Sequence, residues 1–94
     1  MNFDIYEWET YLRNNLEFPF WAQISGFQEK GILNLDDKVK VHDISGSEDI
    51  YGVIAKVKLG RKTYHFPLYE LAVIEKKSKN YKLIEKYKTT YGNL

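Results

Sequence analysis

Residues 51–71, YGVIAKVKLGRKTYHFPLYEL, leave this chain little freedom in what it can become. Tyr51, Val53, Ala55, Val57 and Leu59 point one way, and Gly52, Lys56 and Lys58 mostly the other. That is the period of a half-buried antiparallel strand. Gly60-Arg61 then turns the chain, and a glycine in the first turn position suits a type II′ hairpin, which needs a positive φ there. A second strand follows and stops at Pro67. The stretch therefore predicts a hairpin with one buried face, ended by a short 3₁₀ turn before the chain can pair again.

The flanking residues extend this pattern. Asp4 and Glu7 have capping-box spacing, and Ile5, Trp8, Leu12 and Leu16 recur at helical intervals. Pro19 ends that first helix by about residue 17. Phe20, Ala22 and Ile24 alternate with Trp21, Gln23 and Ser25 as a strand. Residues 26–37 read as a long loop closed by a polar turn at 34–37. Val39 and Val41 mark the next strand, expected to end near Ile44, with 45–49 (SGSED) as a polar loop. After the hairpin come a short strand at 72–74 and a helix capped by Ser78 or Asn80. That helix carries Tyr81, Ile84, Tyr87 and Tyr91 on one face. Together these elements predict an α+β fold: an SH3-like, five-stranded antiparallel barrel with an N-terminal and a C-terminal helix packed on it, residues 1–94 forming one domain.

Composition narrows the function classes. Hydrophobic residues at 44% and charged residues at 29% describe a globular protein rather than a disordered chain. With no cysteine in the sequence, disulfides, thiolate chemistry and cysteine–zinc sites are excluded. The acidic N-terminus lacks the apolar core of a signal peptide, and no apolar run approaches a membrane span. The expected location is cytoplasmic. Only two histidines are present, His42 and His65, each in mid-strand, and no phosphate loop, HExxH or GxSxG motif occurs. Nothing here assembles a catalytic constellation, so the chain is not expected to be an enzyme.

Two binding chemistries remain. Lys56, Lys58, Arg61 and Lys62 gather at the hairpin near Tyr64, and basic residues beside aromatics on a small barrel suit a protein- or nucleic-acid-binding module. Against it, the net charge is only +1. The other chemistry is cation binding by carboxylates. In an SH3-like barrel the loop between the second and third strands shares an end with the 3₁₀ turn after the fourth. This would bring Asp43, Ser47, Glu48 and Asp49 near Glu70. Ca²⁺ takes six to eight hard oxygens, and with no EF-hand loop they must come from separate segments.

The segments EFPFWAQI (17–24), DKVKVHDIS (37–45), DIYGVIAKVKLGRKTYHFPLYEL (49–71) and SKNYKLIEKY (78–87) occur in an order that resembles a known family. It is the small bacterial calcium-binding family named for the heterocyst calcium-binding protein of cyanobacteria. The most specific pieces are Phe18-Pro19-Phe20, Tyr51-Gly52 and Phe66-Pro67-Leu68. The resemblance implies a cytoplasmic, non-enzymatic Ca²⁺ buffer or sensor. Its acidic pattern falls on Asp43, Glu48, Asp49 and Glu70 as ligands, with Glu85 matching an acid in the last helix. Two departures imply a weaker site: the founding members are strongly acidic, and Ala72 and Lys86 stand where carboxylates are expected.

Overall fold

Asp4 starts the first helix as its spacing predicts. Its side chain accepts the Glu7 N–H at 2.8 Å while Glu7 accepts the Asp4 N–H at 3.4 Å, so two orphan donors are satisfied reciprocally. The structure, a computed structural model, describes residues 4–26 and 34–91. Helix α1 runs Ile5–Asn15 and is followed by strands β1 (Phe20–Ile24), β2 (Lys38–Glu48), β3 (Gly52–Leu59) and β4 (Lys62–Pro67). A 3₁₀ turn at Leu68–Glu70, strand β5 (Leu71–Val73) and helix α2 (Lys79–Tyr91) complete the chain. The chain leaves α1 through a cis Phe18–Pro19 bond. Of the long loop expected at 26–37, residues 27–33 lie outside the described residues. The polar turn at its end is present, with the Asn34 N–H donating to the Asp37 carboxylate at 2.9 Å.

The five strands form one antiparallel sheet in the order β4-β3-β2-β1-β5. No pairing joins β4 to β5 among the described residues, so the sheet is open rather than a closed barrel. The β3–β4 hairpin turns as predicted, with Gly60 at φ 62°. The second strand departs from expectation. It does not stop at Ile44 but continues through Ser45, Gly46 and Ser47 to Glu48, pairing Gly46 with Ile54, Ser47 with Val53 and Glu48 with Gly52. Register shifts between Val41 and Asp43 and between Ile44 and Gly46 absorb extra residues, and such bulges bend the strand. The polar SGSE segment is a strand because β3 offers it a ladder, not because its residues favour one.

Val39, Val41, Ile44, Val53, Ala55 and Val57 turn their side chains to one face of this sheet, and both helices cover it. Trp8 and Leu12 of α1 and Ile84 and Tyr87 of α2 are buried there, Trp8 meeting the Tyr87 ring edge-on at 5.4 Å. Each such aliphatic or aromatic side chain contributes about 1.5–3 kcal/mol by leaving water. Ser78, not Asn80, caps α2, its Oγ accepting the Tyr81 N–H at 3.1 Å. Buried Asn80 instead ties α2 to the segment after α1, taking the Glu17 N–H at 2.9 Å and donating to the Glu17 carbonyl at 2.8 Å. Among the described residues, no helix is long and apolar enough to cross a membrane.

Candidate metal centre

Because β2 runs to Glu48, the chain must turn into β3 within residues 49–51. Gly52 makes this feasible by adopting φ 73°. Beneath it stands Tyr87, whose hydroxyl accepts the Val53 N–H at 2.9 Å. A Cβ at Gly52 would collide with that hydroxyl and press on the Tyr91 ring. Burial pushes the Tyr87 hydroxyl pKa up to about 12, against the opposing pull of the Val53 hydrogen bond.

Glu70 reaches the same end of the sheet from the 3₁₀ turn. Its carbonyl accepts the Ser25 N–H at 2.8 Å, the Gly26 N–H at 3.1 Å and the Ser25 hydroxyl at 3.1 Å, which fixes its backbone to the end of β1. Its carboxylate lies over Gly26, in space that a Cβ there would fill. Among the described residues nothing donates a hydrogen bond to that carboxylate. Glu70 and Asp49 line one open cleft of about 520 Å³, together with Tyr51, Tyr69 and Tyr91. Tyr91 stacks on Tyr87 at 5.4 Å and meets Tyr69 edge-on at 6.4 Å, so the aromatic wall is braced against the core.

The four expected ligands are thus divided. Asp49 and Glu70 share the cleft. Glu48, opposite Gly52 at the end of β2, lines a separate shallow concavity with Ser45, Ser47 and His65. Asp43 is exposed farther back along β2, opposite Lys56, and its own carboxylate accepts the Ile44 N–H at 2.8 Å. Ser47 is drawn away too, donating at 2.8 Å to Glu9, which also takes Arg13 at 2.7 Å. Those two hydrogen bonds, Arg13 first, hold the Glu9 carboxyl below its usual range. No group of three or more His, Cys, Asp or Glu side chains converges among the described residues.

A family model described as calcium binding, that of the CcbP proteins, matches residues 4–90. The chain belongs to this calcium-binding family. Its fold agrees with a crystal structure of CcbP from Anabaena, with a TM-score of 0.73 and 19% sequence identity over 93% of this chain and 72% of that one. A search of curated proteins finds no match. Family membership makes Ca²⁺ the ligand and calcium binding the function. The two carboxylates in the cleft are hard oxygen donors of the kind that ion takes, and no thiolate or imidazole is among the lining residues.

Three residues shape this end in ways that no local pattern in the sequence signals. Gly26 and Gly52 make room for Glu70 and Tyr87, and neither partner is a sequence neighbour. Lys88, half-buried on α2, lies 3.7 Å from Glu85. Burial lowers its ammonium pKa, while Glu85 and Glu70 both pull it back up.

Proposed function

We propose that Ca²⁺ is taken at the cleft between the β2–β3 turn and the 3₁₀ turn, with Asp49 and Glu70 as its principal ligands. Glu48, next to Asp49 in the chain, is the third acid within reach of a turn that closes on the ion. Asp43 belongs to the outer face of the sheet instead. The observation that carries this reading is the Glu70 carboxylate seated over Gly26, with Glu70 lining the same cleft as Asp49. Two carboxylates that repel each other without the ion would be neutralised by it, ordering residues 49–51. Water supplies the remaining oxygens, as it commonly does for Ca²⁺. With so few charged ligands, affinity falls at the weak end, with Kd about 10⁻⁴–10⁻³ M.

The protein on this reading is a non-enzymatic buffer or sensor. The strand order, the tight β3–β4 hairpin and the 3₁₀ turn before β5 support an SH3-like barrel left open between β4 and β5. Residues 1–94 are then one domain, with both helices on the core face. Titration calorimetry with Ca²⁺ and Mg²⁺ tests the site. The wild type should release or absorb heat with Ca²⁺ at millimolar ion, and the Asp49→Asn/Glu70→Gln double variant should not. Undiminished Ca²⁺ binding by that variant would place the site elsewhere.

A further inference from the structure

We propose that the outer face of the sheet, centred on Trp21, Lys40 and Lys58, binds single-stranded nucleic acid. The strand register sets Trp21 of β1 beside Lys40 of β2, Lys40 beside Lys58 of β3, and Lys58 beside Thr63 of β4. Lys38 and Lys56 flank this row on the same face, paired with Gln23 and with Asp43. Like charges directly opposite each other destabilise a sheet, and here Lys40 faces Lys58 across the ladder. Among the described residues, none of these four lysines is in an ion pair with a carboxylate. Asp43 of β2, opposite Lys56, is the acid that the register sets among them. Desolvation, and after it the charges of Lys58, Lys40 and Lys56, lower the pKa of His42.

A row in which Lys40 faces Lys58, and in which Asp43 is the one acid opposite a lysine among the described residues, is complementary to a polyanion. The indole selects among polyanions. Trp21 is 53% exposed, although its neighbours Phe20 and Ala22 are buried in the core. It shares a concavity with Lys38, Lys40, His42 and Lys58, and the Lys40 ammonium lies 5.6 Å from its ring centre. A carboxylate-rich peptide would use the lysines and gain little from an exposed ring. A nucleic-acid strand uses both, stacking a base on the ring while its phosphates run over the ammonium groups. This face is separate from the calcium cleft, which lies at the end of the sheet.

The test is fluorescence anisotropy of the full chain with a labelled oligothymidylate of about 12 nucleotides, a length within the site sizes of small barrels. Binding is expected at low salt. It should weaken as salt rises, with a log–log slope of about −2 to −3, as expected for three or four neutralised phosphates. Trp21→Ala should weaken binding about tenfold, a typical loss for one stacked base, and Trp21→Phe should retain most of it. Lys40→Glu/Lys58→Glu should abolish binding. If circular dichroism shows that variant unfolded, Lys40→Gln/Lys58→Gln, which adds no charge, should lose at least tenfold. Absence of binding at low salt overturns the proposal, as does binding indifferent to the lysine substitutions. So does tighter retention of polyglutamate that is unaffected by Trp21→Ala, which would assign the face to an acidic protein segment.

Discussion

Two glycines in this protein yield their side-chain space to a residue from elsewhere, and the two outcomes differ. Under Gly52 stands the Tyr87 hydroxyl, buried and engaged by the Val53 N–H. Over Gly26 lies the Glu70 carboxylate, charged, at the edge of an open cleft, with no described residue donating to it. A polar group that is buried and satisfied by the protein contributes to stability. A charge held in place by its backbone, with no described residue donating a hydrogen bond to it, is available to a ligand. The Tyr87 contact is therefore structural, and on the proposed reading the Glu70 carboxylate is the one held for calcium. Lengthening each glycine by one methyl separates the two. Gly52→Ala should cost roughly 2–4 kcal/mol, through a positive φ that alanine tolerates poorly and a collision with buried Tyr87. Gly26→Ala should displace a flexible carboxylate at the surface, change the melting temperature little, and weaken Ca²⁺ binding about tenfold. Equal loss of stability in the two variants would break the distinction.

Tyr87 sharpens the same contrast through pH. Its folded pKa, raised to about 12, lies above the ordinary value of 10.0, so the native state favours the protonated hydroxyl. That contribution is fully present below pH 10 and is lost as pH rises from there toward 12. Tyr87→Phe removes it, and also leaves the buried Val53 N–H without an acceptor, which costs about 1–3 kcal/mol. Melting curves from pH 8 to 11.5 should show the wild type losing stability above pH 10. The variant should start lower and decline less steeply over that interval, while the shift in melting temperature caused by Ca²⁺ stays intact. A parallel decline in both proteins would mean that other groups carry the alkaline transition.

How far these features could be read from sequence depended on how local their causes are. The α1 start, the alternation of β3 and the Gly60 turn each follow from residues within a few positions, and each appears as expected. The extent of β2 does not, because SGSE becomes strand only when β3 is there to pair with it. That one error moved the acids. A loop over 45–49 would put Asp43 at its entrance. With the strand running to Glu48, the turn is 49–51, and Asp43 lies on the sheet's outer face. Asp49 and Glu70 were legible as neighbours because topology alone sets the β2–β3 turn beside the 3₁₀ turn. The pairing of Gly26 with Glu70 carries no local signal and emerges only when β1 and the 3₁₀ turn are docked.

Lys88 offers the finest adjustment of the Glu70 side of the comparison. Its side chain is 17% exposed on α2, paired at 3.7 Å with Glu85, and it also feels the Glu70 carboxylate. A resident ammonium whose charge reaches Glu70 opposes an incoming divalent ion. At the effective dielectric of a protein surface, that opposition is on the order of 1 kcal/mol, further reduced by salt. Lys88→Gln removes the charge and keeps most of the stem. The pair with Glu85 is long, at 3.7 Å, and Glu85 is 43% exposed, so losing the pair should cost at most about 1 kcal/mol and leave the fold intact. Calorimetry on the variant should give Ca²⁺ binding roughly three- to fivefold tighter at low ionic strength, with the gain shrinking as salt is added. An unchanged affinity would mean that the ion sits beyond the reach of Lys88, nearer Asp49 than Glu70.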